Sequence, residues 1–405
     1  MTRQRVPYLI VGGGLAAASA AESIAKKAPG QVCLVSSETH LPYLRPPLSK
    51  AVLSGQADPD SVLLRQASFY RDKHIAVRLG DAAVSLDTTQ ALLTLQSGVQ
   101  LGYEQLLIAT GLAAAPLNVP GFSLPGVFTL RSLDDALALR DEMAPGRAVV
   151  VVGGGFIGCE VAATATACGA HVHLVEVDDV LMGRAVGPEV GKILTEHHHR
   201  AGVHLHLGVG VTEILGDDRA TAVRLTTGEV VDCDLVVVGV GSRPTTEWLQ
   251  DSLVELAGGG VVVDEHCRTS IGNIYAAGDI AARYMPSANR YMRVEHESNA
   301  QQQGAVAARN MLGRPTALSA MPFVWSRQFD LDLWCLGEAH AHDAVDIEGD
   351  LSTHRFVALY RLAGKPVAVF GSNTPLAAAR TLLRKQQGFT ARELWASSMA
   401  SEAGR

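Results

Sequence analysis

The chain has 405 residues, of which 47% are hydrophobic, and it carries a formal net charge of −7 at pH 7. This length allows two or three domains with substantial cores, and the hydrophobic content excludes a disordered chain. The negative balance provides no basic footprint for nucleic acid. No apolar run reaches the ~18 residues of a membrane span and no secretory signal is apparent. We therefore expect no membrane partner and a cytoplasmic location.

The first predicted unit opens with a strand, a glycine turn and a helix. The run YLIVGGGLAA places Gly12, Gly14 and Ala17 in a Gly-x-Gly-x-x-Ala frame. Such glycines permit a tight turn and close approach of the backbone to a pyrophosphate, while the helix N-terminus offers free amides to the phosphates. The pattern predicts a helix to about Ala28 and then the strand QVCLVSS.

A Pro-rich loop and a closing strand complete this unit. The segment LPYLRPPLSK (41–50) predicts neither a regular helix nor a central strand, because Pro lacks the backbone N–H that both require. Residues 90–100 alternate in polarity and predict a hairpin. Residues 103–111 predict a buried strand that ends at Thr110 and Gly111.

The same pattern restarts after a linker rich in Ala and Pro. The run VVVVGGGFIGCE places Gly153, Gly155 and Gly158 in a Gly-x-Gly-x-x-Gly frame, and a helix is predicted to about Cys168. A strand, HVHLVE, then ends at Glu176. This repeat predicts an α/β fold with two doubly wound, Rossmann-like domains. Two turns of this kind indicate two dinucleotides, and hence electron transfer between a flavin and a nicotinamide.

An acidic residue at the end of the second strand of each unit usually hydrogen-bonds the ribose hydroxyls of the dinucleotide. Glu176 stands where a carboxylate accepts from the 2′-hydroxyl of NAD and repels the 2′-phosphate of NADP, so NADH is favoured. A solvated glutamate at a strand end is the alternative. In the first unit the corresponding place is occupied by Ser36 and Ser37, with Glu38 just beyond.

From about Pro322 the pattern changes. It predicts a third, smaller α/β domain with a final helix over 375–386, and a frayed tail after Ser397. Three consecutive histidines, His197 to His199, are predicted to lie on a solvated helix face, because neighbouring helical side chains point in different directions. No zinc-type spacing of Cys and His occurs, and no metal is predicted.

The six cysteines are scattered without a Cys-x-x-Cys pair, and we expect reduced, mostly buried thiols. The loop 37–55 contains no cysteine at all. This absence disfavours disulfide reductases, and also peroxidases that depend on a cysteine in the flavin loop. Electrons would then leave a flavin directly for an external acceptor.

Eight motifs occur in a fixed order, namely GGGLAAA, LPYLRPPLSK, ATG, RSLDDA, GGGFIGCE, AAGDIA, RVEHESNAQQQG and PFVWSRQ. In this order the chain resembles the FAD-dependent NADH:ferredoxin reductases of bacterial oxygenase systems. Typical members are putidaredoxin reductase and the reductase components of Rieske dioxygenases. The resemblance implies a glutathione reductase-like fold with an FAD-binding domain in two parts (1–112 and 241–320). It also implies an NAD-binding domain (113–240) and a small C-terminal α/β interface domain (321–405).

The resemblance implies that Lys50 and Glu160 are catalytic and meet near the reactive nitrogen of the flavin. A Lys⁺ there would stabilise the negative charge of reduced flavin, and a buried Glu would offset the cost of desolvating it. Two unrelated surface charges are the alternative. Trp325 is placed along the flavin or nicotinamide face, although it suits a core position equally well.

Further cofactor contacts follow from the same motifs. Arg45 would line the flavin or its pyrophosphate, or else be an ordinary surface arginine, and Asp279 would bond the ribityl chain or simply form a turn. The full set of predicted cofactor-binding residues is Gly12, Gly14, Leu15, Ala16, Ala17, Ser36, Glu38, Arg45, Pro47, Lys50, Ala109, Thr110, Gly111, Arg131, Gly153, Gly155, Phe156, Ile157, Gly158, Glu160, Glu176, Arg184, Gly241, Gly278, Asp279, Val294, Glu295, His296 and Trp325.

The predicted activity is transfer of hydride from NADH to FAD, then of single electrons to a two-iron two-sulfur ferredoxin. That ferredoxin, expected from a neighbouring gene, would serve a Rieske dioxygenase or a haem-thiolate monooxygenase, for example in aromatic hydrocarbon catabolism. The alternatives are a rubredoxin reductase, or an NADH-sensing scaffold related to apoptosis-inducing factor. We expect a monomer or weak homodimer. Candidate docking residues are the basic side chains Arg65, Arg71, Lys73, Arg290, Arg293, Arg309 and Arg327.

Overall fold

The computed structural model describes residues 4–285, 289–319, 321–339, 341–385 and 388–403. The chain divides into two compact units. The first unit comprises Met1–Arg45, Pro59–Ala113 and Ser242–Pro322, and the second comprises Pro46–Asp58, Ala114–Gly241 and Phe323–Arg405. Residues 46–58, which fall inside the predicted first domain, are thus part of the second unit. Apart from residues 113 and 321–322, the predicted NAD-binding and C-terminal domains both fall in that second unit.

The elements are as follows in chain order. The strands are β1 (Gln4–Val11), β2 (Val32–Val35), β3 (Ala76–Arg78), β4 (Ala83–Asp87), β5 (Leu92–Leu95), β6 (Gln100–Ile108), β7 (Leu112–Ala114), β8 (Val127–Thr129), β9 (Ala148–Val152), β10 (His171–Glu176), β11 (His204–Leu207), β12 (Val211–Leu215), β13 (Ala222–Leu225), β14 (Val230–Asp232), β15 (Leu235–Val238), β16 (Ser242–Pro244), β17 (Leu256–Ala257), β18 (Gly260–Val263), β19 (Ile274–Ala276), β20 (Ala281–Met285), β21 (Arg290–Arg293), β22 (Phe323–Gln328), β23 (Leu331–Gly337), β24 (Ala344–Asp350), β25 (Arg355–Leu362) and β26 (Lys365–Ser372). The α-helices are α1 (Leu15–Ala25), α2 (Ala67–Asp72), α3 (Leu133–Glu142), α4 (Phe156–Ala167), α5 (Gly183–Arg200), α6 (Glu297–Met311), α7 (Ala377–Lys385) and α8 (Ala391–Ala403).

The first unit is built on a sheet in the order β3-β2-β1-β6-β5-β4, with β19 also paired to β6. Strands β2, β1, β6 and β19 run parallel, whereas β4 and β5 form an antiparallel extension. The strand order reverses at β1, so the turn after β1 lies at a topological switch point, where such sheets bind ligands. Helices α1 and α6 pack closely because Gly304 lacks a side chain: a Cβ there would lie 2.2 Å from the Ala16 carbonyl oxygen.

The second unit contains a parallel sheet in the order β11-β10-β9-β15-β8. Its central strands are almost continuous runs of buried Val and Leu, as expected for strands covered on both faces. A separate antiparallel sheet, β22-β23-β26-β25-β24, follows toward the C-terminus. Its own core includes Val357, Leu359, Leu383 and Leu394, so α7 and α8 share one apolar cluster with these strands.

The parallel strands at the centre of these two sheets confirm the predicted α/β class. Residues 48–50, for which neither a regular helix nor a central strand is predicted, belong to one π-helical turn, Leu48–Val52. The prediction of a frayed tail after Ser397 was wrong for the residues that the structure describes, because α8 continues to Ala403 and Ser398 is fully buried. Residues 404 and 405 of that tail lie outside the described residues. No helix within the described ranges is long and apolar enough to cross a membrane.

Candidate functional site

The first glycine turn has the geometry of a phosphate cradle. Gly12 has φ +138°, and a Cβ there would lie 2.1 Å from the Ala109 carbonyl oxygen. Gly14 is the N-cap of α1 in extended conformation, and no described side chain caps it. A Cβ on Gly14 would meet nothing within 4 Å. The amides of Leu15, Ala16 and Ala17 lie in this uncapped first turn, and they therefore fit a dinucleotide pyrophosphate at the positive end of the helix dipole.

Beyond this turn, a polar cluster surrounds Glu38. Arg45 donates to the Glu38 carboxylate at 2.6 Å and to the Tyr43 hydroxyl at 3.2 Å, while Tyr43 donates to the second Glu38 oxygen. Burial disfavours the charged form of Arg45, but Tyr43, Glu38 and Asp279 outweigh it and raise the pKa of the guanidinium. Arg45 is thus a fixed cation and not an ordinary solvated arginine. Ser36 is buried, and its hydroxyl accepts from the Glu38 amide at 3.2 Å.

The closing strand of the first unit ends in a hydrogen-bonded turn. The Ala109 amide donates to the Val11 carbonyl at 2.7 Å. Thr110 Oγ1 donates to the Thr245 carbonyl at 3.2 Å, and Thr245 Oγ1 donates to the Gly111 carbonyl at 3.1 Å. The segment from β6 to β7 is therefore held beside β1, at the switch point.

The predicted residues near α6 lie in the same unit. The Gly278 amide donates to the buried Gln303 side chain at 2.8 Å, which fixes the turn that carries Asp279. His296 is the N-cap residue of α6, and burial lowers its pKa even though Asp279 and Glu295 oppose the shift. The Val294 carbonyl accepts from Asn299 at 2.8 Å. Glu295 accepts from Ser242 and Arg293, each at 3.0 Å.

In the second unit the second glycine turn repeats the cradle. A Cβ on Gly153 would lie 2.4 Å from the Gly239 carbonyl oxygen, and one on Gly158 would lie 1.8 Å from the Gly153 carbonyl oxygen. Gly155 caps α4 in extended conformation, with nothing within 4 Å of its Cβ position. Phe156 and Ile157 form the first turn of α4, and Ile157 is 43% exposed. These features fit a second dinucleotide.

Glu176 is anchored by backbone amides. Its two carboxylate oxygens accept from the Gly154 amide at 2.5 Å and from the Asp178 amide at 2.9 Å. The predicted neighbour Arg184 donates to Asp178 at 2.9 Å rather than to Glu176, and its side chain is 77% exposed. The carboxylate at the end of β10 is therefore fixed in place and is not a freely solvated strand-end group.

Two other predicted residues of the second unit have structural contacts. The Arg131 amide donates to Asp135 at 2.9 Å, beside the Ser132–Asp135 capping box that starts α3. Gly241 has φ +121°, and its carbonyl accepts from the Ala115 amide at 3.0 Å.

Lys50 and Glu160 form a buried ion pair in the second unit. The Lys50 ammonium lies 2.5 Å from Glu160 Oε2, and the exposed side-chain fractions are 18% and 5%. Ser49 donates to the same oxygen at 2.5 Å, and Ser326 donates to Oε1 at 2.6 Å. Lys50 also donates to the Pro46 carbonyl at 3.1 Å. The alternative of two unrelated surface charges does not describe this arrangement.

The π-helical turn brings these groups together. Pro47 stands at its N-cap, where a missing N–H costs least. Thr164 of α4 donates to the Ser49 carbonyl at 2.7 Å, which ties the turn to the helix carrying Glu160. Sequence reasoning missed Ser49 and Ser326. The available signal was their position, one beside Lys50 in PPLSK and the other beside Trp325 in VWSRQ.

Trp325 is 42% exposed, so it is not a core aromatic residue. The Lys50 ammonium lies 5.3 Å from the centroid of its ring, within cation–π range. Side chains alternate along β22: Trp325 and Arg327 are exposed, whereas Ser326 and Gln328 are buried. One strand thus supplies a surface aromatic ring and an internal polar row.

The histidine prediction was wrong for two of the three residues. His197 and His198 are buried, and only His199 of the three is exposed. His197 lies among aromatic rings, with Phe329 and His354 both packed against it. His198 Nε2 lies 2.9 Å from the Gln328 amide oxygen, and burial lowers the pKa of His198 to about 4.

Two dinucleotide cradles with a buried Lys–Glu pair define a flavin- and nicotinamide-dependent oxidoreductase. Residues 6–304 match the family described as pyridine nucleotide-disulphide oxidoreductase, and the chain belongs to this family. It is 40% identical, over 89% of its length and 88% of the relative, to the 5,5'-dehydrodivanillate O-demethylase ferredoxin reductase subunit of Sphingobium sp. (strain NBRC 103272 / SYK-6).

Solved structures are similar over nearly the whole chain. The ferredoxin reductase for the CYP199A2 system from Rhodopseudomonas palustris has a TM-score of 0.90 and 37% identity, with 96% of each chain covered. The covalent putidaredoxin reductase–putidaredoxin complex gives a TM-score of 0.90 and 28% identity, covering 98% of this chain and 99% of that one. The family resemblance predicted from the motifs is confirmed, and membership implies FAD and NAD(P)H as cofactors.

Proposed function

We propose that this protein is an NADH-dependent ferredoxin reductase that serves an oxygenase. The observation that carries the proposal is the buried Lys50–Glu160 pair beside an exposed Trp325, in a chain with two dinucleotide cradles. The names of its relatives support a ferredoxin as acceptor. A two-iron two-sulfur ferredoxin, a neighbouring gene for it and a monomeric or weakly dimeric state are parts of this proposal.

The residues fit the two cofactors in the predicted places. We assign FAD to the first glycine turn with Glu38, Arg45, Thr110 and Asp279, and NADH to the second turn with Glu176. The domain boundaries remain those of the prediction, with an FAD-binding domain at 1–112 and 241–320, an NAD-binding domain at 113–240 and an interface domain at 321–405. The chemistry that FAD supplies when bound is acceptance of hydride from NADH and release of electrons singly.

The protein's own contribution is charge and position. We assign the Lys50 ammonium to stabilising the negative charge of reduced flavin, a preorganised electrostatic role. Glu160 holds this ammonium in place and offsets its desolvation, and Ser49 and Ser326 satisfy the remaining carboxylate lone pairs. Glu176 favours NADH because its fixed charge would lie against a 2′-phosphate.

The state of the cysteines is consistent with electrons passing from the flavin to the external acceptor without a redox-active thiol. All six are free thiols, and five of them are buried. Free thiols also fit the reducing cytoplasm, which we keep as the proposed compartment.

Four of the seven candidate docking residues for a ferredoxin are each paired with a carboxylate of this chain. Arg65 pairs with Glu22 at 3.0 Å and Arg327 pairs with Asp332 at 2.7 Å. Arg293 pairs with Glu295 at 3.0 Å, and Arg71 pairs with Asp72 at 3.3 Å. Docking to an acidic ferredoxin is therefore not assigned to these four residues.

The test is reconstitution with a panel of acceptors. Purified protein is incubated with FAD, and NADH and NADPH are then compared as donors to ferricyanide, to two-iron ferredoxins coupled to cytochrome c, and to a rubredoxin. We expect yellow protein, rapid ferricyanide reduction and cytochrome c reduction that needs a ferredoxin. Protein that stays colourless with excess FAD would contradict the proposal. Faster electron transfer to rubredoxin than to ferredoxin would favour the alternative of a rubredoxin reductase.

A further inference from the structure

A buried row of polar side chains leads away from Glu160 within the second unit. Ser326 Oγ lies 2.6 Å from Glu160 Oε1, and Gln328 Nε2 lies 3.1 Å from Ser326 Oγ. Gln328 Oε1 then lies 2.9 Å from His198 Nε2. Gln328 and His198 are both 0% exposed, and Ser326 is 1% exposed. Burying such a row costs free energy unless its polar atoms are hydrogen-bonded. This requirement determines which atom donates and which accepts in each hydrogen bond of the row.

The direction of each hydrogen bond can be assigned. The Glu160 carboxylate, which already pairs with Lys50, accepts the single hydroxyl proton of Ser326. Ser326 oxygen must then accept, so the amide nitrogen of Gln328 faces it. The amide oxygen of Gln328 consequently faces His198, and His198 must carry its proton on Nε2 to donate. The Nδ1 atom of His198 has no hydrogen-bond partner among the described residues, in agreement with this tautomer.

We infer that His198 is a positioning residue for the Glu160 carboxylate and, through it, for the Lys50 ammonium. This inference rests on the proposed function, in which that pair serves hydride transfer. The mechanism is orientation of the Gln328 amide. With the His198 donor present, the amide nitrogen faces Ser326 and also lies 3.2 Å from Met182 Sδ.

Removing the donor releases the amide. Once Gln328 Oε1 has no N–H to accept, the amide can turn over and present its oxygen to Ser326. The Ser326 proton then points to Gln328, and Glu160 Oε1 loses its donor. A carboxylate held on one side only can rotate, and the ammonium that it holds moves with it. Small displacements of this kind lower the reaction rate, because the reacting groups must be held within a small range of positions.

Burial keeps His198 in the donating form. Its pKa is lowered to about 4, so the ring is neutral at neutral pH with one N–H available. His197 provides a comparison on the same helix: it is also buried, but its Nε2 atom lies 3.1 Å from Asp330 Oδ1 and its ring packs against Phe329 and His354, so it does not join the row. A general packing defect in this helix would affect substitutions at both positions alike.

The experiment uses the full-length protein with FAD bound and four variants: His198→Leu, His198→Gln, His197→Leu and His197→Gln. Stopped-flow reduction by NADH gives the limiting rate constant and the apparent Kd. We expect His198→Leu to lower the rate constant about tenfold with Kd within about twofold of wild type. His198→Gln, which keeps a donor, should restore the rate, and the His197 variants should reduce the flavin like the wild type.

A second readout does not depend on activity. Long-range ¹H–¹⁵N spectra of protein labelled at histidine should show His198 as the Nε2–H tautomer, and Gln328→Leu should shift that signal. An Nδ1–H tautomer in the wild type would overturn the inference even if no variant folds. So would equal slowing by His198→Leu and His197→Leu, or an unchanged rate in folded His198→Leu. Failure of the proposed function can be distinguished from failure of this inference. In that case the bound flavin of the wild type would not be reduced by NADH, or the flavin of Lys50→Ala would be reduced at the wild-type rate.

Discussion

The Lys50 ammonium touches the Glu160 carboxylate and lies over the Trp325 ring. Lys50→Ala removes a fixed positive charge that we assign to the reduced flavin, whereas NADH is assigned to the second glycine turn. We therefore expect flavin reduction to slow by about 10²–10³-fold, the typical loss on removing one electrostatic stabiliser, with little change in Kd for NADH. Stopped-flow reduction under anaerobic conditions measures both quantities.

The control for Lys50 is Lys192→Ala on α5, because that lysine is exposed and outside the proposed machinery. Removing Lys50 also leaves Glu160 as an uncompensated buried charge, which typically costs ~3–5 kcal/mol. A melting curve must therefore show that the variant is folded. Flavin reduction at the wild-type rate in folded Lys50→Ala would remove this residue from the mechanism.

Glu176 sets donor preference through a charge that two backbone amides hold in place. Glu176→Gln removes the charge but keeps an oxygen for one of those amides. We expect the ratio of kcat/KM for NADPH over NADH to rise about tenfold to hundredfold, because like charges brought together cost several kcal/mol. Steady-state kinetics with both donors measure the ratio, and Glu196→Gln, an exposed residue of α5, is the control. An unchanged ratio would place the discrimination elsewhere.

At the scale of elements, α8 completes the C-terminal core. Leu394 is fully buried in one cluster with Val357 and Leu359 of β25. Leu394→Ala leaves a cavity there and should cost ~2–5 kcal/mol of stability. The neighbouring exposed Arg392→Ala should cost little. Urea unfolding followed by circular dichroism tests the difference, and equal midpoints for the two variants would contradict the packing role of α8.

Sequence patterns predicted the elements whose formation depends on neighbouring residues in the chain. The strand HVHLVE was predicted with the bounds that β10 has, His171–Glu176, because a β-branched run and the repeat of the glycine turn both fix it. The start of α8 also had a local signal that was missed. Thr390 and Glu393 form a reciprocal capping pair, with the Thr390 amide donating to Glu393 at 2.8 Å and the Glu393 amide donating to Thr390 at 3.2 Å.

Long-range packing explains what the sequence did not reveal. His198 is buried because β22, 130 residues further along the chain, places Gln328 against it. The carboxylate partners Ser49 and Ser326 lie 111 and 166 residues from Glu160. The sequence pattern within α5 or the Pro-rich loop does not predict these long-range contacts. The Lys50–Glu160 pair itself could be predicted only because the resemblance of the motifs to a known family carried information on tertiary structure.

At the scale of the whole molecule, buried thiols fit electron transfer that does not use sulfur. Burial raises the pKa of Cys233, Cys267 and Cys335 to about 12, which leaves little reactive thiolate at neutral pH. N-ethylmaleimide should therefore modify the half-buried Cys168 first, with ferricyanide reductase activity retained. Mass spectrometry of the treated enzyme identifies the modified residue. Activity lost in step with modification of any one cysteine would contradict a sulfur-free route.

The stability of the fold should depend on pH through its buried histidines. His198 has a pKa of about 4 when folded, whereas an exposed histidine has a pKa of about 6.5. Between these values the unfolded chain binds a proton that the folded chain does not, so the free energy of unfolding falls as pH decreases. The loss is on the order of 3 kcal/mol between pH ~6.5 and ~4, because each pKa unit corresponds to ~1.4 kcal/mol.

Burial also lowers the pKa of His173 and His197, so these residues contribute to the same acid loss. His198→Gln removes one titrating group and keeps the donor to Gln328. Urea midpoints measured across this pH range should consequently fall less steeply for His198→Gln than for the wild type. His199→Gln, on the exposed side of the helix, should follow the wild-type curve. Coincident curves for His198→Gln and the wild type would mean that His198 titrates in the folded protein as it does in water.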